Sequence, residues 1–459
     1  MSMSKTANPW IEPYKLVLSD EEIRRRTEVH GEPVEDLDSD LIEVACNRLN
    51  KALKAVFIAT AQSRAIIRSE LERAIAYGLV AYPNRIATLQ RIYSPPEERE
   101  SEFPVVITGP SGTGKTELEK AIRRLLMGRR HIDLGEAHGP FPQDAYRSLR
   151  VKGMQSVLEF MKPLAKPEIA LGEAKARVSD MPNECAAWLY RTGTCLLGVD
   201  ELQFLTQSDN ASTHISKVLM ACMEIGIPWH YVCNYSLGWR LMKRPHEITQ
   251  RLQANISILV PDPPASEDWI AILKQYQKIA KAYFEFELTS HALELWNLSA
   301  GLKRELVKLL VLAYRLSRHR QVGKVSWKDI QDAYTSASFS KSRKDIELLI
   351  RYAAQGGELR DDLRCPFTGG SITQAIEAYE NNLRNARNVI VARATLDASL
   401  TEGERKAADN IQKKLRDETP PKRAHVVKLP VKPKRTLQSL QSAGRKFKTG
   451  DKPPETQDA

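Results

Sequence analysis

No stretch of the 459-residue chain comes near the roughly 20 consecutive apolar residues that a membrane-crossing helix needs. The opening MSMSKTANPW lacks the apolar segment of a secretory leader. Both shortfalls predict a cytoplasmic protein with no membrane partner. Cysteine is sparse: Cys46, Cys185, Cys195, Cys222, Cys233 and Cys365 are strewn along the chain, with no CxxC pair and no histidine at a metal-like spacing. That pattern argues against a disulfide framework and against a zinc site. The nine histidines are dispersed as well, and isolated ones such as His214 and His230 read as structural residues rather than ligands. There is no internal repeat. What remains is an ordinary soluble composition, 42% hydrophobic and 27% charged, which can bury a core and at this length predicts about two or three domains.

Charge is unevenly placed. Between Pro420 and Ala459 stand ten basic residues and three acids, so this arm holds +7 of the net +11. It also carries six prolines and almost no aromatic residues, too little apolar surface to offset the entropy of ordering, so a flexible arm is expected. Two readings are open for it: contact with DNA phosphates or an acidic partner face, and a solvated tail that aids solubility.

The rest of the chain divides by pattern. Residues 1 to about 38 are rich in charge and proline, and NPWIEPY sets Trp10 and Tyr14 in an extended stretch open to capture by a neighbouring domain or subunit. Apolar residues recur at helical spacing from Leu41 to about Tyr77, as one long helix or two. Next, FPVVIT (103–108) reads as a buried strand, and further strand-like runs are AYRSLRV (145–151), TCLLGVDE (194–201), PWHYVCNYS (228–236) and NISILVPD (255–262). Helical patterns fill 153–165, about 173–191, and 212–225 between them. This alternation predicts an α/β fold with a mostly parallel sheet. After Pro264 strand signals stop, and helices are expected at about 266–282, 290–300, 302–319 and 326–338, then 341–355, 371–394 and 402–416. The resulting plan is an N-terminal segment with helices (1–100), an α/β core (101–264), a helical lid (265–340), a helical C-terminal extension (341–419) and a basic tail (420–459).

Gly109-Pro110-Ser111-Gly112-Thr113-Gly114-Lys115-Thr116 satisfies GxxxxGK[ST], and it lies between a predicted strand and a predicted helix. Glycines there let backbone N–H groups approach phosphates, the helix start adds positive potential, Lys115 neutralises phosphate charge and the Thr116 hydroxyl ligates Mg²⁺. The pattern therefore predicts ATP with Mg²⁺ as cofactors. Some 85 residues on, CLLGVDEL ends a strand in two acids. Asp200 is placed to hold the metal, and Glu201 to polarise an attacking water. Asn234 closes the next apolar run, either to meet the γ-phosphate or attacking water or simply to cap a loop. Arg240, Arg244 and Arg251 precede the last strand, where a guanidinium can reach nucleotide on an adjacent subunit or lie on a solvated helix face. Arg304, three residues after Gly301, either reports the γ-phosphate to the lid or is a surface residue.

Phosphate loop, DE-ending strand, Asn-ending strand, arginines, last strand, then a helical lid with GLKR: this order resembles an AAA+ ATPase of the initiator-like kind. The resemblance implies that Asn234 is sensor 1, Arg251 the arginine finger with Arg244 second, and Arg304 sensor 2. It also implies rings or filaments with nucleotide between subunits. More narrowly, NPWIEPY, RAIAYGLVAYPN, LLGVDELQFL, GIPW and LWNLSAGLKRELVKLLVLAYRLS are similar to the transposition regulators of the TnsC/TniB family, over about residues 8 to 350. In such regulators an ATP-bound homo-oligomer coats double-stranded target DNA, answers a target-selection protein or RNA-guided complex, and recruits transposase subunits. The family places DNA contacts just after the second strand, which here implies Arg147, Arg150 and Lys152. The alternative is an AAA+ loader or remodelling ATPase acting on another DNA-processing or protein substrate.

Overall fold

The computed structural model describes residues 10, 11, 14, 18–94, 99–126, 130–133, 140–150, 156–175, 177–200, 202, 211–321, 323–401, 403, 404 and 407. The chain forms two compact units, Met1–Ala392 and Arg393–Ala459. Four helices come first: α1 (Asp20–Thr27), α2 (Ile42–Ala55), α3 (Ala61–Ala81) and α4 (Arg85–Tyr93). The periodic run after Leu41 is thus two helices, broken at Val56–Thr60, where Phe57 makes a backbone bridge to Val29 and Thr60 caps α3 through Ser63 N–H.

Five strands, β1 (Val105–Thr108), β4 (Tyr146–Arg150), β5 (Leu196–Asp200), β6 (Trp229–Val232) and β7 (Asn255–Ile258), make one sheet in the order β4-β5-β6-β1-β7, every neighbouring pair parallel. A separate antiparallel pair, β2 (Arg130–Asp133) with β3 (Pro140–Gln143), precedes β4 and was not expected from the pattern. Helix α5 (Lys115–Leu126) follows β1. Between β4 and β5 lie α6 (Val157–Met161), α7 (Pro167–Ala170) and α8 (Met181–Arg191), so the helix expected from about 173 starts only at Met181. Helix α9 (Ala211–Glu224) leads to β6. The run PWHYVCNYS is not strand to its end: β6 stops at Val232 and α10 (Tyr235–Met242) begins, because Leu237, Gly238 and Leu241 bury one helical face. A further short helix, α11 (His246–Leu252), precedes β7.

Strand parity sets the two cores. Val105 and Ile107 pack with Leu196, Val232 and helices α3 and α5, whereas Val106 packs with Leu197, Val199, Tyr231 and helices α6, α8 and α9. The first core also takes Trp10, Ile11 and Tyr14. Trp10 stacks on Tyr82 at 5.4 Å and Tyr82 on Tyr190 at 4.9 Å, while Gln143 Nε2 donates to Trp10 O at 3.1 Å. The aromatics of NPWIEPY are buried in this core, against the end of α3 and against α8 of the α/β part, the capture by a neighbouring domain that the sequence left open.

After β7 come α12 (Glu267–Ile279), α13 (Ala292–Ser299), α14 (Lys303–His319) and α15 (Trp327–Thr335), then α16 (Ser340–Gln355) and α17 (Gly370–Ser399). Ser266 caps α12 through Trp269 N–H at 3.1 Å, and Ser326 with Asp329 forms a capping box on α15. Leu306, Leu309, Leu310 and Ala313 of α14 pack with Trp269, Leu273 and Trp296, and with Leu49 and Leu53 of α2. The N-terminal helix α2 therefore shares the lid's core. Tyr379, Leu383 and Ala386 of α17 close that core from the C-terminal side. The helix expected at 402–416 and the basic tail lie outside the described residues, apart from 403, 404 and 407. Among the described residues no helix is long and apolar enough to cross a membrane.

Candidate functional site

The parallel β1 delivers the chain to its C-terminal edge, where the loop of Gly109–Gly114 turns into α5. Gly109, Gly112 and Gly114 take φ of 154°, 95° and 105°, and a β-carbon on Gly109 would stand 2.0 Å from Leu259 O. Residues with side chains do not fit this path. Lys115, the first residue of α5, is 7% exposed; its Nζ donates to Gly109 O at 2.8 Å and Pro110 O at 2.9 Å. Burial pushes this ammonium down to about 8, Arg304 adds to the effect, and Cys233 and Asp200 oppose it. Thr113 Oγ1 donates back to Pro110 O at 3.0 Å, holding the turn.

A cavity of about 400 Å³ opens over this loop, lined by Ser111, Gly112, Thr113, Gly114, Lys115 and Thr116, and it also takes in Asn234 and Arg304. Such a volume suits a nucleotide-sized ligand. Asn234 stands at the start of α10 without capping it through its side chain, so its amide is not engaged as a helix cap. Arg304 reaches the loop from the lid. Its backbone N–H donates to Gly112 O at 3.2 Å, and its side chain passes within 3.4 Å of where a Gly112 β-carbon would be. The turn that aims it is Ala300–Gly301, both at positive φ, with Tyr379 Oη donating to Ala300 O at 2.9 Å.

Asp200 ends β5, is 2% exposed, and its charge acts on Lys115 through the interior. A carboxylate there and the Thr116 hydroxyl on the loop are oxygen donors of the kind a hard divalent cation takes, so the residues fit Mg²⁺. Glu201 and Lys152 lie outside the described residues. Neither Arg244 nor Arg251 lines the phosphate-loop cavity: Arg244 bonds Thr213 Oγ1 in a separate cleft, and Arg251 sits exposed in the last turn of α11 beside Phe103, Glu247 and Gln250. Arg147 and Arg150 occupy the edge strand β4, where parity sends them to opposite faces of the sheet. Arg147 is paired with Asp144 at 2.8 Å, and Arg150 is exposed.

Several cavity residues escaped the sequence reading. Lys54 comes from the end of α2, Val56, Phe57 and Ile58 from the α2–α3 connection and Ser63 from the start of α3, and Ile272, Tyr276, Lys303 and Val307 from α12 and α14. Only Lys303 had a visible signal, its place beside Arg304. A second unforeseen feature lies under β5. Tyr146 Oη donates to Glu119 Oε1 at 3.0 Å and meets His230 Nε2 at 3.3 Å, and His230 Nδ1 meets Glu70 Oε2 at 3.0 Å. The tyrosine crosses β5 at Gly198, where a β-carbon would stand 1.9 Å from its oxygen. All four polar residues are buried, and they tie the phosphate-loop helix α5 to β4, β6 and α3. Among the described residues no cluster of histidine, cysteine and carboxylates suits a metal, and all six cysteines are free thiols.

A loop of this geometry after β1, β5 and β6 at its side, and a helical lid over it define the fold class. It is a phosphate-loop α/β fold with a parallel sheet and a helical lid. No protein-family model and no curated protein matches the chain. Among solved structures it is similar to the Aeropyrum pernix ORC2 protein with ADPNP and ADP, at 15% identity over 74% of this chain and 96% of that one, with a TM-score of 0.41. It is similar to the Aeropyrum pernix ORC1 protein in complex with DNA at 16% identity, over 72% and 90%, with a TM-score of 0.36. For domain III of the Thermotoga maritima replication initiation protein DnaA the values are 17% identity, 55% and 91%, and a TM-score of 0.32.

Proposed function

We propose that the chain binds Mg-ATP at the Gly109–Thr116 loop and hydrolyses it, and that this cycle governs an oligomer's grip on double-stranded DNA. The observation that carries the reading is the joint placement of Lys115, Thr116, Asn234 and Arg304 around one cavity, with Asp200 buried close by. Lys115 leaves the loop carbonyls for the phosphates, whose negative charge offsets the burial that lowers its ammonium. Thr116 and Asp200 would hold Mg²⁺, which would supply charge that shields the triphosphate during cleavage. Glu201 takes the proton of the attacking water and Asn234 orients that water. Arg251 is exposed, as a residue serving a neighbouring subunit's nucleotide must be, and Arg244 is the second choice.

The finer reading is a regulator of DNA transposition, assembling as a ring or filament on target DNA, answering a target-selection protein or RNA-guided complex, and recruiting transposase subunits. Its support is the ordered set of sequence motifs and flanks. Arg147, Arg150 and Lys152 are its DNA contacts. The test is assembly on duplex DNA with a non-hydrolysable ATP analogue. Wild type assembles, Lys115→Ala does not, and Glu201→Gln assembles but turns over ATP at least about 100-fold more slowly. Nucleotide-driven assembly that ignores DNA would replace this reading with a loader or remodelling ATPase.

A further inference from the structure

The lid brings a second cation to the phosphate loop. Lys303 opens α14 and lines the same cavity as Arg304. Its Cδ is 3.8 Å from where a Gly114 β-carbon would stand, so the side chain lies over the turn whose amides face the ligand. The two cations are neutralised differently. Arg304 Nε donates to Glu305 Oε1 at 3.1 Å, a carboxylate of its own helix that also holds Lys308. Lys303 Nζ instead lies 3.6 Å from Oδ2 of Asp262, four residues beyond β7, where the chain leaves the sheet for the lid.

Asp262 is 5% exposed, and its backbone oxygen accepts Trp296 Nε1 at 2.8 Å, which fixes it against α13. Burial raises its carboxyl above the ordinary range and Lys303 opposes that rise. The other nearby acid, Asp268, is itself 3.8 Å from Arg64. Taking Lys303 away therefore leaves a buried carboxylate without its cation, a costly state. Only a ligand that attracts Lys303 strongly enough can drive the exchange.

We infer that Lys303 is a second phosphate-binding cation, held by Asp262 while the loop is empty and transferred to the terminal phosphate when ATP binds. The inference rests on the nucleotide site proposed above. Because the exchange costs the Asp262 pairing, it favours the ligand with the greatest charge near α14. The pair thus separates ATP from ADP and reports that difference at the junction of sheet and lid. Arg304 keeps its own carboxylate and takes no part in the exchange.

The experiment measures dissociation constants of the full chain for a non-hydrolysable ATP analogue and for ADP by calorimetry. Lys303→Gln weakens the ATP analogue about tenfold or more and ADP less than about threefold, the gap expected when one charge-assisted contact serves one ligand only. Lys303→Arg keeps most of the preference. Asp262→Asn tightens the ATP analogue severalfold, and Asp262→Asn combined with Lys303→Gln binds like Lys303→Gln alone, because Asp262 acts only through Lys303. Should the Asp262 variants not fold, the two Lys303 variants decide. Equal losses for both nucleotides, or none, overturn the inference. Wild type that binds neither nucleotide overturns the proposed site itself, a separate result.

Discussion

Lys115 gives the site a pH signature whose direction can be worked out in advance. Its ammonium is buried, bonded to two loop carbonyls, and pushed down from 10.5 to about 8, chiefly by burial. Phosphates beside it supply the charge that burial removed, so in the nucleotide complex it stays protonated through this range. Binding above pH 8 must then draw a proton from solution. If only protonated Lys115 binds, the apparent dissociation constant rises by about 25-fold between pH 7.5 and 9.5, a consequence of linkage. Two nearby groups titrate above this window. Cys233 is pushed up to about 11, and burial raises Tyr276 as well.

Stability moves the other way. A lysine whose folded value lies below its unfolded value destabilises the empty protein at pH below the folded value, and relief comes as pH rises from about 8 towards 10.5, worth about 3 kcal/mol in all. Calorimetry with ADP in buffers of different ionisation enthalpy measures the proton uptake directly, and urea unfolding of the empty protein gives the stability arm. An affinity that stays level from pH 7.5 to 9.5 refutes the account. So does a steep decline that survives in Lys115→Arg, whose guanidinium keeps its proton throughout.

Two further expectations concern the scaffold. Gly198→Ala puts a methyl 1.9 Å from Tyr146 Oη and 3.0 Å from His230 Nε2, so urea unfolding should show a loss of about 2–4 kcal/mol, partly recovered by adding Tyr146→Phe. Trp10→Ala empties a slot in which the ring is 1% exposed and stacked on Tyr82; about 3–5 kcal/mol should be lost on denaturant unfolding. A loss below about 1 kcal/mol would mean the segment is held elsewhere.

The chemistry-bearing parts of this protein were legible because each is local. The phosphate loop needs only glycines, a lysine and a hydroxyl at fixed spacing between a strand and a helix, and β1 and α5 lie where that spacing predicts. Asp200 announced itself by following four apolar residues in a strand. The Asn234 strand was drawn too long, since an apolar run of nine residues cannot say by itself where extended backbone gives way to the buried face of α10.

What pattern reasoning could not reach is whatever depends on distant segments meeting. Val56, Phe57 and Ile58 carry no nucleotide signature, yet they line the cavity because α2 packs on α14 and brings the connection after it to the loop. Trp10 was open to capture by a neighbouring domain or a subunit, and composition cannot show that Tyr82 and Tyr190 are the rings that take it. Gly198 read as one more small residue in a strand, and only the sheet order shows that Tyr146 must cross there to reach Glu119 and His230. Sequence by itself determined the reactive groups, since their spacing along the chain is their geometry. The tertiary structure alone decided what surrounds them, because burial and ion pairing between segments hundreds of residues apart follow from packing and not from spacing.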